Sequence, residues 1–417
     1  MLAALRLKLS ASQLRVFRHR DFRLLWSGSF FSFTGSWVQN IAQGWLVYEI
    51  THDEAKLAFV TFCAMAPVSL FGPFAGALSD TFNKRKVLVF TQSVFGLCAL
   101  FLMVASWPTP GHPLGFVQYW HVLVVSLIVG CMACLEMPTR QSVISRVVPS
   151  EELPMAVPFN AMTFNFARVV GPAIGGILLA AYGPRSCYGV NAVSYLALIF
   201  AALAIRADLG AGTREPQPIK DLLFEGMLYT FRDLRLRTLF VMESIVSMFG
   251  LFYISLMPAI AKDMLGLDEK GLGLAMTFIG IGAFLGLVLM VMTSHRPVKA
   301  FVVRASMILI GVGLSLLAFA RTGPAAYPIL ALIGAAAIMQ FNTTNTLFQL
   351  LSPDRLRGRV LAMHIWALSG LGPFGVLFFG WLAHGTSLQL ALHVGGACVL
   401  AGGLWGWAFR RGLAGVQ

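Results

Sequence analysis

The sequence predicts an all-α membrane protein in which twelve transmembrane helices form two pseudo-symmetric six-helix bundles. Three observations predict it. First, 57% of the 417 residues are hydrophobic and only 12% charged, with a mean hydropathy of +0.76, a balance that no soluble core of ordinary proportions can hide. Second, apolar runs of about 20 residues recur along the chain, each long enough to cross about 30 Å of hydrocarbon. Third, the chain echoes itself. VVGPAIGGILLAAYG at 169–183 returns as GLGPFGVLFFGWLAHG at 370–385, and a polar turn precedes each, VVPSEEL from 147 and LLSPDRL from 350.

Taken in order, spans are expected at 22–48, 56–78, 86–107, 118–144, 156–182 and 187–205, then at 238–260, 271–293, 300–320, 326–350, 360–383 and 389–409. Each is an apolar run bounded by charges or by Gly/Pro turns. Between the sixth and seventh lies the one long polar stretch, where GAGTREPQP reads as a linker and IKDLLFEGMLYTFRDLRLR as an amphipathic helix on the membrane surface. It divides the chain into an N-terminal bundle, 1–205, a cytoplasmic linker, 206–237, and a C-terminal bundle, 238–417.

Most of the 31 Lys and Arg fall in segments that share one side of the membrane, whereas Lys56, Arg185, Lys262, Lys270 and Arg321 fall on the other. Positive charge collects on the cytoplasmic side, so both termini are expected in the cytoplasm of a multi-pass protein of the bacterial inner membrane. The basic arm, with Arg6, Lys8, Arg15, Arg18, Arg20 and Arg23, runs straight into the first apolar segment and is not read as a cleavable signal peptide. The net charge of +13 therefore expresses topology and predicts no nucleic-acid partner. Cysteines lie mostly inside apolar runs, and the pair Cys131 and Cys134 lacks further ligands nearby; no disulfide framework, metal or cofactor is expected.

The turn between spans 2 and 3 reads GALSDTFNKRK, residues 76–86. Gly76, Leu78, Asp80, Lys84 and Arg85 match a Gly-x-Leu-x-Asp-Arg-x-Gly-Arg-Lys signature, and here the chain resembles the major facilitator superfamily. Thr81 and Asn83 depart from the usual Arg and Gly; Asn tolerates the left-handed conformation, while Thr81 cannot supply an ion pair. The resemblance implies that Asp80 helps latch the two bundles, facing the start of span 11 as an anion near a helix amino terminus. GPAIGG, with Gly171, Pro172, Gly175 and Gly176, resembles the span-5 motif associated with antiporters in that superfamily. Pro172 removes a backbone donor, and the glycines admit a close neighbour. FRLLWSGSFFSFTGSWVQNIAQGWLVYEIT, MPTRQSVISRVVP and GVNAVSYLALI resemble the effluxer branch that contains the enterobactin exporter and macrolide-efflux proteins.

Polar groups inside spans cost several kcal/mol unless they face a cavity or a partner, so they are the candidate machinery. Ser36, Gln39, Asn40 and Gln43 share one side of span 1 and are expected to line the pathway. Span 10 offers a similar stripe, Asn342, Asn345 and Gln349, with Gln340 nearby, and span 5 offers Asn165 and Arg168. Trp366 can supply an aromatic wall. Glu136 and Arg140, four apart on span 4, can pair; competition for Arg140 makes Glu136 the leading candidate proton carrier, with Glu243 second and His364 able to titrate. Arg168 can share that role or engage an anionic substrate.

These features together imply a secondary transporter and not an enzyme, since the chain lacks GxxxxGK[ST], HExxH and GxSxG. The expected activity is export of a small organic, amphipathic molecule of drug or siderophore type by proton antiport and alternating access. The alternative is uptake or facilitated diffusion of a metabolite or lipid-like solute on the same fold. Expected partners are the substrate, protons and membrane lipids, with the chain acting as a monomer.

Overall fold

Within hydrocarbon an apolar chain must satisfy its own backbone, and the helix does so within one segment. The computed structural model describes residues 15–210, 219–293, 298–353 and 355–408, with the backbone alone at 73–77, 80, 219–224 and 293. Among the described residues there is no β-strand; one isolated bridge joins Thr109 and His112.

The first group of helices is α1 (Arg20–Thr51), α2 (Glu54–Thr81), α3 (Lys84–Ala105), α4 (Tyr119–Val147), α5 (Leu153–Tyr182) and α6 (Pro184–Ala204). α1 lies against α5 and α6, α2 against α4, and α3 against α4 and α6. The second group begins with α8 (Leu234–Gly250), α9 (Phe252–Ser255) and α10 (Met257–Ala259), which continue through a π turn at Ile260–Met264. It goes on through α11 (Glu269–Thr293), α12 (Lys299–Leu317) and α13 (Gly323–Leu351). Then α14 (Arg357–Ile365), a second π turn at Trp366–Gly370 and α15 (Gly372–Gly385) form one segment, and α16 (Leu388–Ala408) closes the order. α12 lies on α13 and α16, and α8 lies on α15 and α16.

Among the described residues, eleven helical segments are long and apolar enough to cross a membrane. α1 is not among them although it runs for 32 residues, because Ser29, Ser32, Gln39 and their polar neighbours dilute its apolar content while facing inward. The outer surface is greasy: Leu97, Phe200, Met292, Phe319 and Trp381 are 65% to 69% exposed, which suits acyl chains and would be costly in water.

Short polar side chains start the helices. Asp53 accepts the amide of Lys56 at 3.0 Å ahead of α2, and Asp233 accepts those of Arg235 and Leu236 at 2.8 and 3.2 Å ahead of α8. Burial alone would push the Asp233 carboxyl up, but Arg235 and the two amides hold it below its ordinary value. Asn83 departs from expectation. It is extended, with φ −65°, and accepts the amide of Lys86 at 3.2 Å, so it serves as the cap of α3 and not as a left-handed residue.

The linker helix α7 (Ile219–Arg232) docks on α14. Glu225 takes Arg355 at 2.9 Å and also pairs with Arg359, and Gly226 lies flush against the Arg359 backbone. Its contacts are thus with the second bundle as well as with whatever surface it borders.

The two groups meet along two seams that mirror each other. α5 runs along α11, and α2 runs along α15. In the first seam a Cβ on Gly176 would stand 2.8 Å from Gly273 Cα, and one on Gly273 would stand 2.9 Å from the Pro172 carbonyl. In the second, a Cβ on Gly380 would overlap Ala58 Cβ. The echoed stretches therefore carry the glycines that let each bundle's helix approach the other bundle.

Candidate functional site

Between the groups lies a cavity of about 370 Å³. α1 and α2 supply one wall; α8 to α11, the second π turn and α15 supply the other. Trp37, Ile41, Leu57, Met65, Leu251 and Met276 make it apolar, and its polar groups are neutral: Asn40, Gln43, Thr61, Ser247 and Ser255. Among the described residues no charged side chain lines it. The π turn frees backbone carbonyls there. Ser247 Oγ donates to the Leu368 carbonyl at 2.6 Å, and Ser69 Oγ, from the first group, donates to the Ser369 carbonyl at 2.8 Å.

The end of the bundle that carries the α1–α2 turn is tied across the groups. Tyr48 donates its hydroxyl to Asp263, Lys262 meets Glu49 at 2.5 Å, and His384 lies 3.5 Å from Asp53 and 3.6 Å from Glu54. Gly44 lets Pro258 close in, where a Cβ would stand 2.9 Å from the ring.

The polar stripe of α1 divides. Asn40 and Gln43 face the cavity, whereas Ser36 and Gln39 turn into the first bundle. There a chain of hydrogen bonds runs through four helices. Gln43 donates to Ser126 at 3.0 Å and Asn191 donates to Gln39 at 2.7 Å and to Tyr195 at 3.1 Å; the Ser36 and Tyr195 hydroxyls are 3.3 Å apart. Ser32 donates to Gln92 at 3.1 Å, and Gln92 donates to Glu136 at 3.4 Å. Arg140 closes the chain by pairing with Glu136 and lying over the Phe33 ring at 4.2 Å. Glu136 and Arg140 are 6% and 5% exposed, so the pair is sealed in protein. Asn191 and Tyr195, four apart on α6, and Gln92 on α3 are not singled out by sequence; their convergence on α1 gives them a role.

The second bundle holds a different cluster. His364 Nδ1 stands 2.8 Å from Glu243 Oε2, and His364 Nε2 stands 3.1 Å from Asn345, which accepts from Gln349 at 2.5 Å. Glu243 is 0% and His364 3% exposed, while Gln349 opens to the outside. The result is a polar wire from a buried carboxylate to the surface. Glu243 Oε1 and both polar atoms of the Gln340 amide are buried with no hydrogen-bond partner among the described residues.

Other candidate residues sit apart from these. Asn342 and Asn165 each donate to the carbonyl one turn back, at 3.0 and 2.9 Å. Trp366 stacks on Phe240, with centroids 5.9 Å apart. Gly171 and Gly175 face α1, with a Cβ on Gly175 standing 3.1 Å from the Val38 carbonyl. Arg168, midway along α5, lies 5.8 Å from the Trp37 ring centroid. Lys84 donates to the Ser79 carbonyl at 2.5 Å, and Arg85 donates to the Ile205 carbonyl at 2.6 Å, so both brace the first bundle. The surroundings of Gly76 and the side chain of Asp80, and with them the expected latch, lie outside the described residues.

A helical membrane protein with two mirrored seams and a central cavity between them is the architecture of a secondary transporter. The sequence profile described as "Transmembrane secretion effector" matches residues 11–412. The chain belongs to that family, within the major facilitator superfamily of membrane transporters, which are not enzymes. It is 24% identical over 357 residues to the staphyloferrin A transporter of Staphylococcus aureus, covering 85% of this chain and 87% of that one. It is 24% identical over 376 residues to the multidrug efflux pump Tap of Mycobacterium tuberculosis, covering 86% and 87%. A crystal structure of a POT family transporter in complex with 5-aminolevulinic acid shares the fold, with a TM-score of 0.73, 11% identity, and coverage of 95% and 97%.

Proposed function

We propose that the protein exports small amphipathic organic molecules across the bacterial inner membrane in exchange for protons. Both termini lie in the cytoplasm, so the end tied by Tyr48, Asp263, Lys262 and Glu49 faces the periplasm and the cavity is loaded from within. The bundles 1–205 and 238–417 rock about the two glycine seams, with 206–237 as the strap between them. Relatives named for drug efflux and for a siderophore support this direction and substrate type.

Proton coupling belongs to Glu243 and His364. The observation that carries this is their contact at 2.8 Å deep in the second bundle, with Asn345 and Gln349 leading outward. A guanidinium does not release its proton, so protonating Glu136 would leave Arg140 as a buried, uncompensated cation. Histidine exchanges its proton where a guanidinium does not, so both members of the Glu243 pair can take part in proton transfer, each proton gained or lost changing the net charge of the pair by one. Gln92 and Arg140 instead make Glu136 part of the scaffold.

The test uses purified protein in liposomes with a pH-sensitive dye inside and a panel of drugs and siderophores outside. Proton movement opposite to substrate, abolished in Glu243→Gln, is expected. Substrate flux without proton movement would leave facilitated diffusion, and co-directional movement would make the protein an importer.

A further inference from the structure

Arg140 and Arg168 lie well inside helices of the first group, and they are treated differently. Arg140 has Glu136. Arg168 has neither a carboxylate nor a hydrogen-bond partner among the described residues, and its guanidinium rests near the indole of Trp37, whose ring lines the cavity. It is half-buried. Tyr253, fully buried in α9, likewise has a hydroxyl with no partner among the described residues. Gly171 holds α1 against α5 at this level, because any side chain there would strike Trp37 Cβ. An unpaired cation inside a membrane protein is costly unless something compensates it, and among the described residues no carboxylate lines the adjoining cavity.

We infer that Arg168, which does not line the cavity but stands behind Trp37 at its wall, is an anion subsite beside it, so that the substrates are amphipathic organic anions: an apolar or aromatic body seated against Trp37, Ile41 and Met276, with a carboxylate-type group reaching past Trp37 to Arg168. The inference rests on the proposed transport role of that cavity. Asn40 and Gln43 add neutral hydrogen bonds, which serve an oxyanion and an amide alike. An organic cation finds no counter-charge in this cavity and meets Arg168 as a repulsive element. The preference thus follows from what is charged near the site and from what is not.

The test is equilibrium binding in detergent with a matched set of probes: 2-naphthoate, 2-naphthamide and 2-naphthylmethylammonium, followed by Trp fluorescence and by thermal stability. The wild-type chain is expected to bind the carboxylate at least about tenfold more tightly than the amide, and the ammonium least, as one charge-assisted contact implies. Arg168→Gln should erase the preference, and Arg168→Lys should keep part of it. Should Arg168→Gln fail to fold, Asn40→Asp provides the same test with Arg168 intact, since a carboxylate placed in the cavity should reject naphthoate and admit the ammonium. Equal binding of the three probes, no binding of any, or an anion preference that survives both Arg168→Gln and Asn40→Asp would overturn the assignment. No gradient is involved, so failure of proton coupling or of export direction would appear in the liposome assay and leave this result standing.

Discussion

His364 Nδ1 and Glu243 Oε2 are 2.8 Å apart although 121 residues separate them in the chain, and neither side chain reaches the surface. A carboxylate and an imidazole so placed hold one proton between them or two. Glu243→Gln fixes the count and is expected to flatten the pH profile of coupled transport while substrate exchange without a gradient continues. His364→Leu leaves Glu243 without a partner, costing about 1–3 kcal/mol in stability. Liposome transport at several pH values and thermal unfolding separate the two effects; a wild-type pH profile in Glu243→Gln would remove the pair from the mechanism.

Glu136→Gln should behave otherwise. It strands Arg140 in a site that is 5% exposed, and the expected loss is about 3–5 kcal/mol, seen as poor yield and a lowered melting temperature in detergent. Glu136→Gln with Arg140→Leu should recover much of that loss. Full stability of the single variant would mean that the ion pair is not structural.

At the α5–α11 seam, Gly176→Val inserts side-chain atoms where a Cβ alone would stand 2.8 Å from Gly273 Cα. Overpacking of this kind costs about 1–3 kcal/mol in the conformation described, which shifts a two-state balance by roughly one to two orders of magnitude. Spin labels on α5 and α11 should report longer distances. An unchanged distance distribution would show that the seam does not open during the cycle.

The tied end of the bundle has contacts of unequal strength. Lys262 and Glu49 are 29% and 36% exposed, so their pairing contributes about 1 kcal/mol or less. Tyr48 is 1% exposed and donates to the carboxylate of Asp263, which is itself exposed; a hydrogen bond to a charged group contributes about 1.5–3 kcal/mol. Tyr48→Phe should therefore open this end more than Lys262→Met does, read as cysteine labelling at introduced sites near the α1–α2 turn. The reverse order would show that solvent screens less here than its exposure implies.

Asp233 gives a pH-dependent stability term outside the membrane. Its folded carboxyl titrates below the unfolded value, so the cap contributes fully above the unfolded value of about 3.9 and fades as pH falls through the lower folded value. Asp233→Ala should cost about 1 kcal/mol at neutral pH, and the gap to wild type should narrow in acid. A gap independent of pH would point to packing and not to the carboxylate.

Spans were legible because length and apolar content are local properties; the twelve expected segments fall on helices, and only α1 is too polar to qualify as a span by composition. The glycines of GPAIGG were legible as a small-residue stripe, but Gly273 and Val38 as their neighbours were not. Asn191, with Tyr188 and Tyr195, lies on one face of α6, but that face reads equally as core, so its place and that of Gln92 in a hydrogen-bonded chain need the packing of α1, α3, α4 and α6. Glu243 and His364 were each visible as polar residues in spans, and their pairing depends on the approach of α8 to α14. Asn83 shows the opposite failure: a local rule about turns gave way to a cap, which the same side chain serves equally well.

α1 to α6 are each continuous, whereas the second half carries a widened turn at Ile260–Met264 and another at Trp366–Gly370. A widened turn has a looser ladder and carbonyls to spare, so it bends at lower cost than a straight helix. On the proposed cycle, bending in the second half would concentrate at these two turns, whereas in the first half it would fall to the prolines inside α4 and α5. Ser69, reaching from the first half to the Ser369 carbonyl, makes the hydrogen bond that such a bend would break.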